Sequence, residues 1–196
     1  MYGLSLTTAP ASEPVTTAEA KLHARVSTSA DDTLIGNLIT AARRYAEMFC
    51  SRSFINTTWK LTLDRWPMGK VIRVPRNPLS SVSSIKYYDY ASVQQTLSSS
   101  LYRVDTTTDP GRIEPVFGQI WPVSLPEVNA IEVNFIAGYG ATASYVPEEI
   151  KLAIKMIAAH WYERREAFEL VQGGVLAEVP FAAQAILTST WCGEYT

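Results

Sequence analysis

The spacing of apolar positions changes period twice along the chain, and those changes define its parts. From Asp31 to Ser51, residues Leu34, Ile35, Leu38, Ile39, Ala42, Tyr45, Ala46 and Phe49 form one stripe at helical spacing. Arg43, Arg44 and Glu47 fall outside that stripe, so the pattern predicts an amphipathic helix. A shorter helix precedes it. Thr16 with Glu19 three positions on makes a capping box, and Leu22 and Val26 supply one apolar side. After Ser51 the period falls to two: Trp59, Leu61 and Leu63 alternate with Lys60, Thr62 and Asp64, the mark of a half-buried strand. Further strands are predicted at 71–74, 81–90, 100–104 and 112–115, and through Ile131, Val133 and Phe135. Helical spacing returns over 146–167 in Ile150, Ile154, Ile157, Ala158 and Trp161. Pro147 is placed at the first helical position, and Glu148 and Glu149 sit where the helix dipole favours anions. Gly173-Gly174 breaks the chain, and Pro180 opens a last short helix through about Leu187.

No helix-length connection separates the strands, so antiparallel hairpins are the simple solution. The predicted fold class is α+β: a helical core of two N-terminal helices, one long and one short C-terminal helix, with an antiparallel β module inserted at about 54–140. Residues 1–15 are polar and hold Pro10 and Pro14, and read as a flexible N-terminal arm. Residues 16–188 read as a single domain carrying the insertion, and 189–196 as a C-terminal tail. A chain of 196 residues is long enough for one such core.

Composition narrows the function classes. Apolar residues make up 47% of the chain, which excludes wholesale disorder. Charged residues make up only 18%, which suits a protein that covers much of its surface with partners. A net charge of −2 argues against a basic field steering the whole molecule to DNA. The first ten residues lack the basic and apolar regions of a signal peptide, and no apolar run approaches a membrane span. Cys50 and Cys192 match no metal or redox spacing, and read as inert thiols of a reducing cytosol.

Candidate chemistry is sparse. His160 and Glu163 could share a helix face as metal ligands do, but no second histidine follows at zinc spacing. Asp64, Asp89, Asp105 and Asp109 fall at strand ends and turns, where aspartate is common for turn chemistry alone. Ser53, Ser80 and Ser98–Ser100 lack a nucleophile-elbow setting, and no Walker or dinucleotide fingerprint is present. Gly138-Tyr-Gly140 reads as a tight corner rather than a phosphate cradle. The tryptophans and tyrosines could stack bases, but few basic residues interleave them, so packing is the better account. Catalytic, cofactor and metal residues are therefore expected to be none.

Several stretches in order resemble the head–tail connector (adaptor, head-completion) proteins of long-tailed double-stranded DNA phages and gene transfer agents. They are the helix 34–47, the strand Thr58–Asp64, the segment Pro75–Asp89, Tyr102–Asp105, Gly111–Ile113, Trp121-Pro122, Phe135–Gly140, Val146-Pro147 and His160–Arg164. The resemblance spans about residues 17–188. It implies a non-enzymatic virion protein at the head–tail junction, made in the host cytoplasm, forming a ring of about twelve copies between portal and tail. The implied partners are the portal protein, a tail or tail-completion protein, further copies of itself, and genomic DNA passing through the lumen without sequence-specific binding. No membrane partner is implied. The acidic balance would suit a DNA-conducting lumen, since repulsion keeps the genome from sticking. The C-terminal portion would dock on the portal, ordering as it binds, which makes Arg164, Arg165, Pro180, Phe181, Trp191 and Tyr195 candidate portal or neighbour contacts. The competing readings are a small α+β hydrolase or ligand-binding protein with a pocket in the β module, and another virion ring such as a tail-completion protein.

Overall fold

A computed structural model describes residues 2–164, 170–171, 174–175 and 179–191. The fold is α+β, and the chain divides into two compact units. One takes in residues 2–11 and 51–141; the other takes in residues 12–50 and the described part of 142–191.

The helical unit is built from α1 (Thr17–Ala24), α2 (Asp32–Cys50), α3 (Glu148–Glu163) and α4 (Phe181–Ser189). The capping box that opens α1 is formed: Thr16 Oγ1 accepts from the Glu19 backbone N–H at 3.2 Å, and the Thr16 N–H donates to Glu19 Oε2 at 2.7 Å. Ile35, Ile39, Ala42, Ala46 and Cys50 of α2 are buried, as are Ile150, Ala153, Ile154, Ile157 and Ala158 of α3. Ala183 and Leu187 of α4 complete this core. Each helix buries one stripe against the next, which is what its apolar spacing demands. α3 begins after Pro147 rather than on it, because Pro147 keeps an extended ψ of 139°. It ends at Glu163, with Arg164 already outside helical geometry at φ −113° and ψ 85°; the rest of the expected helix, 165–167, lies outside the described residues.

Arg43 departs from its expected place outside the stripe of α2. Its side chain is buried, because Glu13 covers it from the segment before α1. Arg43 Nε donates to Glu13 Oε2 at 2.7 Å, and Arg43 Nη1 to Glu47 Oε2 at 2.6 Å. Burial works against the guanidinium charge, but the two carboxylates more than offset it and its pKa is raised. Thr40 Oγ1 donates to Glu13 Oε1 at 3.0 Å. Residues 13–15 are therefore pinned, and Val15 is fully buried.

The β unit opens with β1 (Tyr2–Thr8), a stretch that the polar composition of 1–15 had suggested to be a flexible arm. Tyr2, Leu4 and Leu6 alternate with Gly3, Ser5 and Thr7, and this short period-2 signal pairs β1 antiparallel with β2 (Thr57–Leu63). The remaining strands are β3 (Ile72–Arg73), β4 (Leu79–Tyr88), β5 (Gln94–Leu97), β6 (Tyr102–Asp105), β7 (Arg112–Pro115) and β8 (Ile131–Ala137). They form a five-stranded sheet in the order β1-β2-β8-β4-β5 and a three-stranded sheet in the order β3-β7-β6, with every pairing antiparallel. The two sheets share one core: Leu61, Ile85, Val133 and Phe135 from the larger, and Ile72, Ile113 and Tyr102 from the smaller.

Gly138, immediately after β8, makes the corner. Its φ of 148° and its closeness to the incoming chain exclude a side chain, since a Cβ there would stand 2.5 Å from the Asn56 nitrogen. The corner is stitched by Gly138 N–H to Pro78 O at 2.9 Å and Asn56 N–H to Gly140 O at 2.9 Å. Gly138→Ala is expected to destabilise the protein by about 3 kcal/mol or more, combining left-handed strain with overpacking. Urea denaturation of the purified variant measures this, with Gly36→Ala, where a Cβ meets nothing within 4 Å, as the tolerated control.

Candidate functional site

The four aspartates that could have paired for acid–base work are each spent on local structure. Asp89 Oδ1 accepts the N–H groups of Ala91 at 2.9 Å and Val93 at 3.0 Å, and Asp89 Oδ2 accepts from Gln95 Nε2 at 2.8 Å. Asp64 Oδ1 accepts from the Asn129 N–H at 3.1 Å, and Asp109 Oδ2 pairs with Arg52 Nη2 at 2.5 Å. Asp105 collects the most partners: Thr107 N–H at 2.9 Å, Thr107 Oγ1 at 2.7 Å, Thr108 Oγ1 at 3.0 Å and Arg112 Nη2 at 2.6 Å. The Thr107 hydroxyl, with Arg112 beside it, holds the Asp105 carboxyl well below the usual carboxylate range. Gln95 lowers the Asp89 carboxyl, and the Asn129 N–H lowers that of Asp64. A general acid at neutral pH needs the opposite shift. Among the described residues, no three His, Cys, Asp or Glu side chains gather as a metal site would require.

Four of the five tryptophans are likewise committed to packing. Trp66 stacks on Trp121 with centroids 4.6 Å apart and planes 5° apart, and Tyr87 tilts against Trp66 at 6.1 Å. Trp121 Nε1 donates to the Lys70 carbonyl at 2.7 Å, tying the long β7–β8 connection to the turn after β2. Trp59 Nε1 donates to Ser53 Oγ at 2.9 Å, and the Arg76 guanidinium lies 5.0 Å over its ring. In the helical unit Trp161 meets Tyr45 edge-on at 6.2 Å. Half-buried rings whose faces are taken by neighbouring side chains are a poor platform for bases.

The chain's unspent chemistry is on its surface. At the end of α3, Arg164 is exposed and its N–H caps the His160 carbonyl at 3.0 Å. Pro180 is half-buried at the start of α4, next to the buried Val179, and Phe181 points outward with 79% of its surface exposed. Trp191 is half-exposed at the other end of α4. Arg165 and Tyr195 lie outside the described residues. α4 forms as the sequence predicts: Ala183 and Leu187 bury, and the Cys50 thiol donates to the Leu187 carbonyl at 3.4 Å. The β unit adds a second exposed surface that the sequence reading missed. Between β7 and β8, Phe117 and Ile120 are 99% and 73% exposed, and Met68, two residues after Trp66, is fully exposed. Their signal was an uncharged run, 116–126, in a connection long enough to be a functional loop.

The family model described as "Phage gp6-like head-tail connector protein" matches residues 15–111 and 125–190. The chain belongs to that family, and is a head–tail connector protein. No curated protein sequence matches it significantly. Among solved structures, it is similar to a chain from the neck of an empty gene transfer agent particle, computed with C6 symmetry. The TM-score is 0.81 at 23% identity, covering 99% of this chain and 97% of that one. A chain from the virion of a native gene transfer agent particle gives 0.81 at 23%, covering 98% and 97%. A chain from the neck of a native particle, computed with C12 symmetry, gives 0.79 at 23%, covering 99% and 97%. At this identity the likeness shows a shared fold, end to end.

The depressed Asp105 carboxyl makes a pH prediction. A group with a lowered folded pKa contributes stability that is present above its unfolded value of 3.8 and is lost as pH falls through the folded value. Asp105→Asn should therefore lower the thermal midpoint at pH 7, and this difference from wild type should shrink as the comparison is repeated below pH 3.8. Calorimetric melting of both proteins across that range measures it.

Proposed function

We propose that this chain assembles as a ring of about twelve copies between the portal and the tail, completing the DNA-filled head and continuing the exit channel. The observation that carries this reading is the family match through both units, residues 15–111 and 125–190. The end-to-end likeness to neck chains, one from a reconstruction with C12 symmetry, supports the copy number. The function requires geometry and surface rather than turnover, and the role is non-enzymatic. Aspartates spent on turns and the Trp66–Trp121 stack make a stiff building block. Its place is the virion head–tail junction, after synthesis in the host cytoplasm.

The C-terminal surface meets the portal or the neighbouring copy through Arg164, Arg165, Pro180, Phe181, Trp191 and Tyr195. Phe181 and Trp191 are the aromatic anchors and Arg164 a charged contact, the residue types that dominate interface energetics. The tail or a tail-completion protein meets another face, and the genome passes through the lumen without sequence readout. The domain reading that goes with this is one connector domain over 16–188 carrying the β unit, with 189–196 as a tail.

The test is electron microscopy of lysates from a phage whose copy of this gene is interrupted. Packaged heads and separate, complete tails that never join are expected; normal infectious particles would discard the reading. Supplying Phe181→Ser in trans should reduce joined particles at least tenfold with the thermal midpoint within a degree or two of wild type, because an exposed side chain contributes little to folding and much to docking.

A further inference from the structure

The family match leaves out two parts of the β unit: residues 1–14, which hold β1, and 112–124, which hold most of the β7–β8 connection. Both leave apolar surface uncovered, as Tyr90, Val93 and Val128 also do elsewhere in this unit. The connection from Val116 to Pro126 contains no charged residue. It is not a loose loop: Trp121 anchors it through the Trp66 stack and the Lys70 carbonyl, and the Leu125 N–H donates to Tyr88 O at 2.8 Å. On this fixed base Phe117, Ile120 and Val123 project into solvent, and Met68, two residues after Trp66 in the chain, is fully exposed.

β1 is the second surface. It lies at one end of the five-stranded sheet and, among the described residues, pairs on one side only, with β2. Its seven residues carry no charge and no proline, the devices that normally blunt an open edge. Opposite Trp59 and Leu61 across the ladder stand Leu6 and Leu4, so the apolar face of the sheet continues onto β1. Among the described residues, Leu6 is left 49% exposed there.

We propose that these two surfaces are the two halves of one contact: the apolar tip around Phe117 and Ile120 of one copy packs on the β1 edge around Leu6 of the next. The inference rests on the ring reading above, and names the contact that closes the ring. A head-to-tail ring needs two different, complementary patches on every copy. Both patches are uncharged, so neither selects a charged partner, and each offers what the other lacks, protruding side chains against an open, apolar-faced edge. Closure of the ring strengthens each pairwise contact by making the last contacts intramolecular.

Cross-linking in purified particles tests this. The carrier chain is Cys192→Ser, because the remaining Cys50 is buried, with Leu6→Cys and Ile120→Cys introduced together and bridged by a short bis-maleimide. The expected result is a denatured ladder extending beyond dimers, toward about twelve chains, while either cysteine alone gives no product. A ladder absent although the chain is present in the particles overturns this contact and leaves the ring reading standing. Dimers from Ile120→Cys or Leu6→Cys alone also overturn it, because like patches then meet. Absence of the unsubstituted chain from particles overturns the ring reading and this contact with it. As an independent measure, Phe117→Glu should cut joined particles at least tenfold with an unchanged melting curve, and wild-type yields would contradict the contact.

Discussion

The β unit leaves the helical chain after Cys50 and must return to it before α3, and the pairing of its second strand with its last satisfies that constraint. β2 and β8 run side by side over their whole length, from Thr57 opposite Ala137 to Leu63 opposite Ile131. The entry and exit points are therefore neighbours, bonded to each other through Asn56 and Gly140 and through Tyr139 and Phe54. Inserted modules are tolerated where their two ends lie close together, so that the host chain is interrupted by little more than a turn. Gly138 is the residue on which the closure depends, because the incoming backbone occupies the space a Cβ would fill. Everything else in the unit can be hung on this pair: β4 adds to the free side of β8, β1 to the free side of β2, and the smaller sheet completes the core.

A protein made this way has polar groups to satisfy at many turns, and the chain does so with aspartates and short hydroxyl side chains rather than with long charged networks. The same economy explains the low charge content. Charges that are buried serve fixed joints: Arg43 locks the segment before α1 onto α2 through Glu13, and Arg52 ties down Asp109. With its turn aspartates and most of its indoles used internally, the molecule acts through the outside of stiff units. That is the economy of an assembly protein, and it accords with membership of the head–tail connector family.

Much of this was legible in the sequence because long periodic segments leave little choice. The stripes of α2 and α3 and the alternation of β2 and β8 made the α+β class readable. What escaped has physical reasons. β1 is a seven-residue strand of glycine, serine and threonine around two leucines and a tyrosine, and its stability comes from the ladder it joins, which local pattern does not reveal. β5 is four residues, Gln-Gln-Thr-Leu, with the same dependence on β4. Arg43 reads as surface on a helical wheel, since nothing in α2 tells that Glu13 arrives from thirty residues away to bury it. The exposed tip at Phe117 and Ile120 was invisible for the opposite reason: apolar residues in a sequence read as core until the structure leaves them outside.

The central claim is that this chain is a ring component at the head–tail junction, and a cryo-electron microscopy reconstruction of the neck of the particle tests it most directly. The account predicts density fitting both units of this chain in about twelve copies around the channel, directly between portal and tail. A neck whose density in that position is filled by another chain, with this one absent or lying elsewhere in the particle, would contradict it.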